Sequence, residues 1–394
     1  MQINENYLKN HFAIIVIGLI LVMGICIPIC HAEETKEQIH PFSPGLSVSE
    51  TATNYSTPQV IHEGYYPNEW VMTSSGSDLN ITQFESDANQ MVKDFREKYN
   101  SEIHRALWVK PTFNATQNNS VVGAGIIIHP DGVVNQIELY NSDPDTANQD
   151  AMATKLDQWK IQEYSKIKEK LNSQSSVDGD APVALGYKNG ITTSKPWGET
   201  SFTSNYYYDF TSSKTIGYFY VDSTVIITPG KVKKDQGKEG FTEATRNLQY
   251  LVEHDWTAAD GSYNPIPGAA LMAHNPVTMS TPTTTDLELG YPPSLKLTLH
   301  INFPGETVSD QTSGTIPAWK HDFNDGNDVA LKSYTSDYGS EIETYYSNLQ
   351  CQTTYALATV KVSHKLGFCK PFHSDCGPKT DAFDKKALDV TYTC

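Results

Sequence analysis

Residues 121–139 read VVGAGIIIHPDGVVNQIEL, and the way this stretch folds decides what the N-terminal half can be. A dinucleotide-binding unit needs G-x-G-x-x-G opening directly into a helix, so that pyrophosphate meets the helix N-terminus. Gly123 and Gly125 supply the first two glycines, but Ile128 stands in the third place, and Pro130-Asp131-Gly132 follows where the helix would run. Proline second in a tight turn and glycine after aspartate are turn chemistry. Beyond the turn, Val133, Ile137 and Leu139 alternate with Val134, Gln136 and Glu138. The stretch predicts a β-hairpin and no bound cofactor.

Helical periodicity flanks it. Thr82-Gln-Phe-Glu85 has the spacing of a capping box, and Phe84, Ala88, Met91, Val92, Phe95, Tyr99 and Ile103 follow at three- and four-residue steps. That stripe predicts a helix ending near Trp108, ahead of Pro111. A second helix is expected from about Thr146-Ala-Asn-Gln149, with Met152, Leu156, Trp159, Ile167 and Leu171 on its buried face. Residues 79–175 are therefore expected to form a small α/β sandwich of helix, hairpin and helix.

The order Tyr99, Ile103, Trp108-Val-Lys-Pro111, then VVGAGIIIHPDGVV, Ser142 and Asp150-Ala resembles the C-terminal domains of TonB and TolA proteins. The likeness covers residues ~99–171. It lacks an obvious closing strand after Leu171 and the long proline-rich spacer of that family. What the resemblance implies is a protein-contacting domain without catalytic residues.

The rest of the chain bounds the setting. Residues 12–30, FAIIVIGLILVMGICIPIC, form an uncharged apolar run. With Ala32 before Glu33, they read as a signal peptide over residues 1–32; an uncleaved signal anchor is the alternative, because the run is about as long as the ~20 residues that span a bilayer. Either places the chain beyond residue 32 outside the cytoplasm, secreted or at the cell surface. The net charge of −17 excludes a phosphate-binding face for nucleic acid and electrostatic attraction to anionic lipid. Residues 33–78 read as a polar linker. Asn54, Asn80, Asn114 and Asn118 each open an N-x-Ser/Thr triplet, the glycosylation acceptor pattern. Cys351, Cys369, Cys376 and Cys394 fall in the last 44 residues and predict two disulfides. The favoured pairing is Cys369–Cys376 with Cys351–Cys394; a zinc site from Cys369, His373, Cys376 and His364 is the rival.

Residues 176–200 read as a second linker, and residues 201–394 change to period two, aromatics and turn residues. TIGYFYVDSTVIIT, SLKLTLHINF, TYALATVKVSH and ALDVTYT are strand-like. TEATRNLQYLVEHDW reads as the one helix there, from Thr242 to Glu253, and the segment from Tyr263 to Thr285 reads as a long loop. The fold class expected is α+β: the small sandwich, then a disulfide-tied, β-rich sandwich-like domain with one helix.

No G-x-S-x-G elbow, H-E-x-x-H pair or P-loop occurs. His254, with His274 and His300, is the best acid/base candidate, and a core histidine is the plainer reading. Asp322, Asn324, Asp325 and Asp328 could ligate calcium, although the EF-hand register fails and a polar turn explains them. Tyr206–Phe210 and Tyr218–Tyr220 could offer stacking surfaces, although alternate members must fill the core. The leading functional expectation is an exported binding or structural protein with a protein or glycan ligand, without catalytic or metal residues. A secreted hydrolase of polysaccharide or peptide is the alternative. Third comes a pore-forming or membrane-inserting protein using the 216–228 strand.

Overall fold

The structure is a computed structural model. It describes residues 60–61, 64–76, 79–113, 120–141, 149–172, 182–194, 198–210, 215–229, 233–235, 242–258, 263–276, 284–289, 297–302, 307–323, 333–368, 377–386 and 388–393. The apolar run at residues 12–30, most of residues 33–78, Asn54, Asn114, Asn118, Asn324–Asp328, Cys369, His373, Cys376 and Cys394 lie outside them. The chain divides into two units, residues 1–51 and 52–394, and everything described belongs to the second.

In chain order, β1 (Val71–Ser75) precedes α1 (Ile81–Ile103), then come β2 (Leu107–Lys110), β3 (Ser120–Ile128), β4 (Val134–Asn141) and α2 (Gln149–Asn172). Five strands follow: β5 (Val183–Ser194), β6 (Gly198–Asp209), β7 (Ile216–Pro229), β8 (Lys233–Asp235) and β9 (Thr242–Asp255). Next are β10 (Asn264–Pro265), β11 (Ala270–Asn275), β12 (Thr284–Leu289), β13 (Leu297–Asn302), β14 (Thr307–Asp310) and β15 (Ala318–Asp322). The chain closes with β16 (Tyr334–Tyr345), β17 (Thr354–Ala356), β18 (Thr359–Phe368), β19 (Gly377–Lys386) and β20 (Asp389–Tyr392).

The hairpin is present. Gly132 N–H donates to His129 O at 2.9 Å, His129 N–H to Val133 O at 2.8 Å, and Gly132 sits at φ +76°. Its flanking helices form, with different ends. Asn80, not Thr82, caps α1, accepting from Gln83 N–H at 3.1 Å. Glu85 instead accepts from Phe113 N–H at 2.8 Å, tying α1 to the chain beyond β2. The helix stops at Ile103, where His104 turns left-handed at φ 50°. Trp108 is a strand residue, 6.2 Å from the Phe95 ring.

A charged cluster clamps α2 to the hairpin turn. Lys170 Nζ lies 2.6 Å from Asp131 Oδ2, and Glu163 receives His129 Nε2 at 3.0 Å and Lys166 Nζ at 2.7 Å. Arg105 donates to the Asp131 and Ala184 carbonyls. Burial alone would raise the Glu163 carboxyl, but the hydrogen bonds from His129 and Lys166 bring it down to about 2.

Strand pairing runs across the expected boundary between the two domains. One eight-stranded sheet runs β1-β3-β4-β5-β6-β7-β16-β11, joining the hairpin directly to the C-terminal strands. Residues 183–194, expected within a linker, are β5, paired parallel to β4 and antiparallel to β6. The first linker is also shorter than expected, since Val71–Ser75 pairs with β3. Such parallel pairing requires a crossover between the strands, and α2 provides it.

A second sheet, β14-β15-β9-β18-β19, packs across the first, with β8 paired to β9. A four-stranded sheet, β10-β17-β20-β2, returns the C-terminus to the N-terminal strands. The expected helix at Thr242–Glu253 is β9, lying between β15 and β18. Leu248, Leu251 and Val252 fit a helical stripe, and short apolar runs are ambiguous between the two periods. The sheet context selects period two: Tyr250, Val252 and His254 are buried at alternate positions. No α-helix occurs among the described residues after Asn172.

Candidate functional site

The aromatic strands settle into structural roles. Tyr206, Tyr208, Phe210 and Phe219 belong to the main core, and Tyr206 OH donates to Ala358 O at 3.1 Å. Tyr218 and Tyr220 form a smaller cluster with Tyr207 and Ile216. The 216–228 segment is β7, paired along its length with β6 and β16. The strand named for membrane insertion is thus a central strand of the eight-stranded sheet, hydrogen-bonded on both edges.

The histidine candidates separate. His254 is fully buried, with Nδ1 3.0 Å from Ser340 Oγ. His274 is half-buried and contacts Asp310 Oδ2 at 2.8 Å. Both rings pack around Trp319, at 4.9 and 6.3 Å. His300 falls on β13, opposite Asp286. Asp322 pairs with Lys320 Nζ at 2.8 Å and accepts from Gln249; Asn324, Asp325 and Asp328, named with it, lie outside the described residues. His364, the zinc alternative, contacts Thr200 Oγ1 at 2.9 Å and Asn247 Oδ1 at 3.0 Å. Among the described residues no group of three or more His, Cys, Asp or Glu is placed to hold a metal ion. Cys351 is disulfide-bonded, and Asn80 is exposed at the start of α1.

The element that departs from a packed sandwich is the ribbon of β12 and β13, a two-stranded sheet that, among the described residues, is hydrogen-bonded to neither large sheet. It runs beside β11 and β16. Its register pairs Thr285 with Ile301, Leu287 with Leu299 and Leu289 with Leu297. The alternate positions pair Thr284 with Asn302, Asp286 with His300 and Glu288 with Thr298. Because successive residues of a strand belong to opposite faces, the register assigns one face five aliphatic residues and a threonine, and the other only polar and charged ones.

The same alternation continues in the sequence on both sides. Val277, Met279, Thr281, Thr283, Thr285, Leu287 and Leu289 occupy odd positions, and Leu295, Leu297, Leu299, Ile301 and Phe303 do so on the return, across Gly290-Tyr-Pro-Pro-Ser294. Thr278, Ser280, Pro282, Thr284, Asp286, Glu288, Lys296, Thr298, His300 and Asn302 fill even positions, Pro282 being the one that brings no backbone N–H. This was the legible signal that the loop reading of residues 263–285 passed over, because threonine and proline dilute the first arm. In the eight-stranded sheet, Glu341 of β16 and Tyr220 of β7 are paired in register and both buried.

No known family model describes this chain, and no curated protein sequence is similar to it. Among solved structures, Clostridium perfringens delta-toxin aligns at 9% identity and TM-score 0.30, over 53% of this chain and 87% of its own. A pore forming protein aligns at 6% identity and TM-score 0.31, over 55% and 93%. The Clostridium perfringens NetB toxin in its membrane inserted form aligns at 5% identity and TM-score 0.29, over 52% and 95%. At these TM-scores the likeness establishes neither fold nor function. Among the described residues no helix is long and apolar enough to cross a membrane, which says nothing of strands.

Proposed function

We propose that this chain is an exported protein that inserts the β12–β13 ribbon into a lipid bilayer as part of a β-lined pore. The single observation that carries this reading is the register, which sorts aliphatic and polar residues onto opposite faces. An isolated two-stranded hairpin is marginal in water, so its apolar face needs either the parent protein or lipid as cover. A membrane strand needs roughly 9–11 residues. The alternation spans residues 277–289 and 295–303, which suffices on each arm. One ribbon would leave two unpaired edges in hydrocarbon, where each unsatisfied backbone group costs several kcal/mol. Insertion therefore requires several copies closing into a barrel, with Asp286, Glu288 and His300 toward water.

Export is part of the same proposal. The apolar run at residues 12–30 and the disulfide at Cys351 support it, because disulfides persist in oxidising compartments. Gln352 N–H donates to Tyr392 O at 2.8 Å, which brings the Cys351 segment beside the chain end and favours Cys394 as its partner. Kinship of residues ~99–171 with TonB and TolA domains is a separate proposal, supported by sequence order alone.

The test is dye release from phosphatidylcholine vesicles, a zwitterionic surface suited to an acidic chain. Wild type should release dye and His300→Arg should match it. Leu299→Arg should lose release while keeping its circular dichroism, because a lipid-facing arginine costs about 2–4 kcal/mol at mid-bilayer. Intact vesicles with wild type, or unimpaired release by Leu299→Arg, would refute the reading.

A further inference from the structure

The two large sheets meet through a seam of hydroxyls and imidazoles. His254 of β9, His321 of β15 and His364 of β18 are each fully buried. Each reaches across to the eight-stranded sheet through one ring nitrogen. His254 Nδ1 lies 3.0 Å from Ser340 Oγ, His321 Nε2 lies 2.6 Å from Tyr338 OH, and His364 Nδ1 lies 2.9 Å from Thr200 Oγ1. Trp256 Nε1 also donates to Ser340 Oγ, and Tyr250 OH meets Ser336 Oγ at 2.6 Å.

The described groups seen to stack on or hydrogen-bond to these rings are uncharged. Tyr250 stacks on His321 at 4.0 Å, with Tyr338 at 5.7 Å and Tyr334 at 6.2 Å. Trp319 faces His254, and Asn247 with Thr200 faces His364. Glu253, Asp255, Lys320, Asp322, Lys361 and Lys365 occupy the alternate positions of the same strands, on the opposite face. There Asp255 pairs with Lys361 and Asp322 with Lys320. Asp337 and Glu341 likewise alternate with the seam residues Ser336, Tyr338 and Ser340 of β16. Among the described residues, no carboxylate hydrogen-bonds to any of the three seam histidines.

We propose that this seam is an acid-labile joint, in which protonation of His254, His321 and His364 parts the six-stranded sheet from the eight-stranded one. A neutral imidazole can accept one hydrogen bond and donate another, whereas an imidazolium only donates and must be solvated or paired when buried. Burial holds His254 and His364 down to about 3, and His321 well below its ordinary value. A histidine lowered in the folded state leaves stability intact above its unfolded value near 6.5. That stability is lost as pH falls from there toward the folded value, because the unfolded chain takes up the proton first. Each such histidine multiplies the unfolding constant by about ten per pH unit in that window. Asp222, raised to about 6 by burial, holds a proton in the folded state and offsets one of the three.

The test is urea unfolding of the full chain, followed by tryptophan fluorescence between pH 6.5 and 5, above the range in which ordinary carboxylates titrate. The wild-type unfolding constant should rise toward a hundredfold per pH unit. His254→Asn, whose amide replaces Nδ1, should remove one tenfold step from that dependence, and Asp222→Asn should add one. Histidine NMR resonances of the folded wild type provide the second measurement, independent of whether the variants fold. Three that fail to titrate above pH 5 support the joint. An unfolding constant flat across the window, or seam resonances titrating near 6.5 in the folded chain, would overturn it. Neither reading involves vesicles, so the joint and the membrane proposal stand or fall separately.

Discussion

Gly125 shows how one residue fixes the packing of the N-terminal half. A Cβ built there would come within 2.7 Å of the Trp159 ring and 2.9 Å of Ile137 Cγ2. The glycine lets α2 press its tryptophan onto the sheet. Gly125→Val should therefore cost about 1–3 kcal/mol, the usual range for overpacking a filled core, read as a lowered urea midpoint. The sequence places Gly125 in a strand of the hairpin; nothing local in it names Trp159 as the partner. Lys188 was hidden entirely. It is fully buried in β5, 3.4 Å from the Glu138 carboxylate, and its Nζ donates to Thr112 O at 2.8 Å. Tyr140 OH donates to the same carboxylate. Lys188→Met would strand the Glu138 charge and should destabilise by about 3–5 kcal/mol. Adding Glu138→Gln, which keeps an acceptor for Tyr140, should recover most of that loss in the same denaturation measurement. Failure to recover would show that the charge pair is not the origin of the cost. The seam histidines were equally illegible, because His254, His321 and His364 lie on three strands that only the fold brings together.

At the scale of elements, the helices and the first hairpin were legible because their patterns are long. Phe84 through Ile103 keep one stripe over five turns, and His129–Gly132 carries its own turn chemistry. Short elements misled. Thr242–Asp255 satisfies both periods, and only its neighbours β15 and β18 select the strand. Val183–Ser194 reads as a linker, since its Gly186, Asn189 and Gly190 look like turn residues. In the sheet, Gly186 and Gly190 instead admit the Val134 carbonyl and the Phe202 ring, each closer than 3 Å to where a Cβ would stand. The β12–β13 ribbon was half legible. Its return arm, Leu295–Phe303, reads as a strand, while threonines and Pro282 obscure the alternation of its partner. The sorted faces of that ribbon are what distinguish it from the central strand β7.

At the scale of the whole molecule, residues 176–200 contain β5, which pairs with β4 on one side and β6 on the other and so makes the sheet continuous there. The continuous sheet means that the N-terminal helices and the C-terminal sandwich share one scaffold, to which the ribbon is attached through β11 and β14. Nothing local in the sequence announces a parallel pairing between residues 134–141 and 186–193, and composition naturally places the boundary at the polar stretch between them. The scaffold accounts for why a removable element is feasible: neither large sheet loses a hydrogen-bonded strand when the ribbon leaves. The central claim is that this ribbon enters lipid with its odd-numbered face outward. It is tested most directly by placing an environment-sensitive fluorophore, one position at a time, along residues 284–289 and 297–302 and adding phosphatidylcholine vesicles. The account predicts blue-shifted emission, quenched by lipid-borne quenchers, at 285, 287, 289, 297, 299 and 301, and water-like emission at the positions between. Emission that does not alternate, or that is unchanged by vesicles at every position, would contradict it.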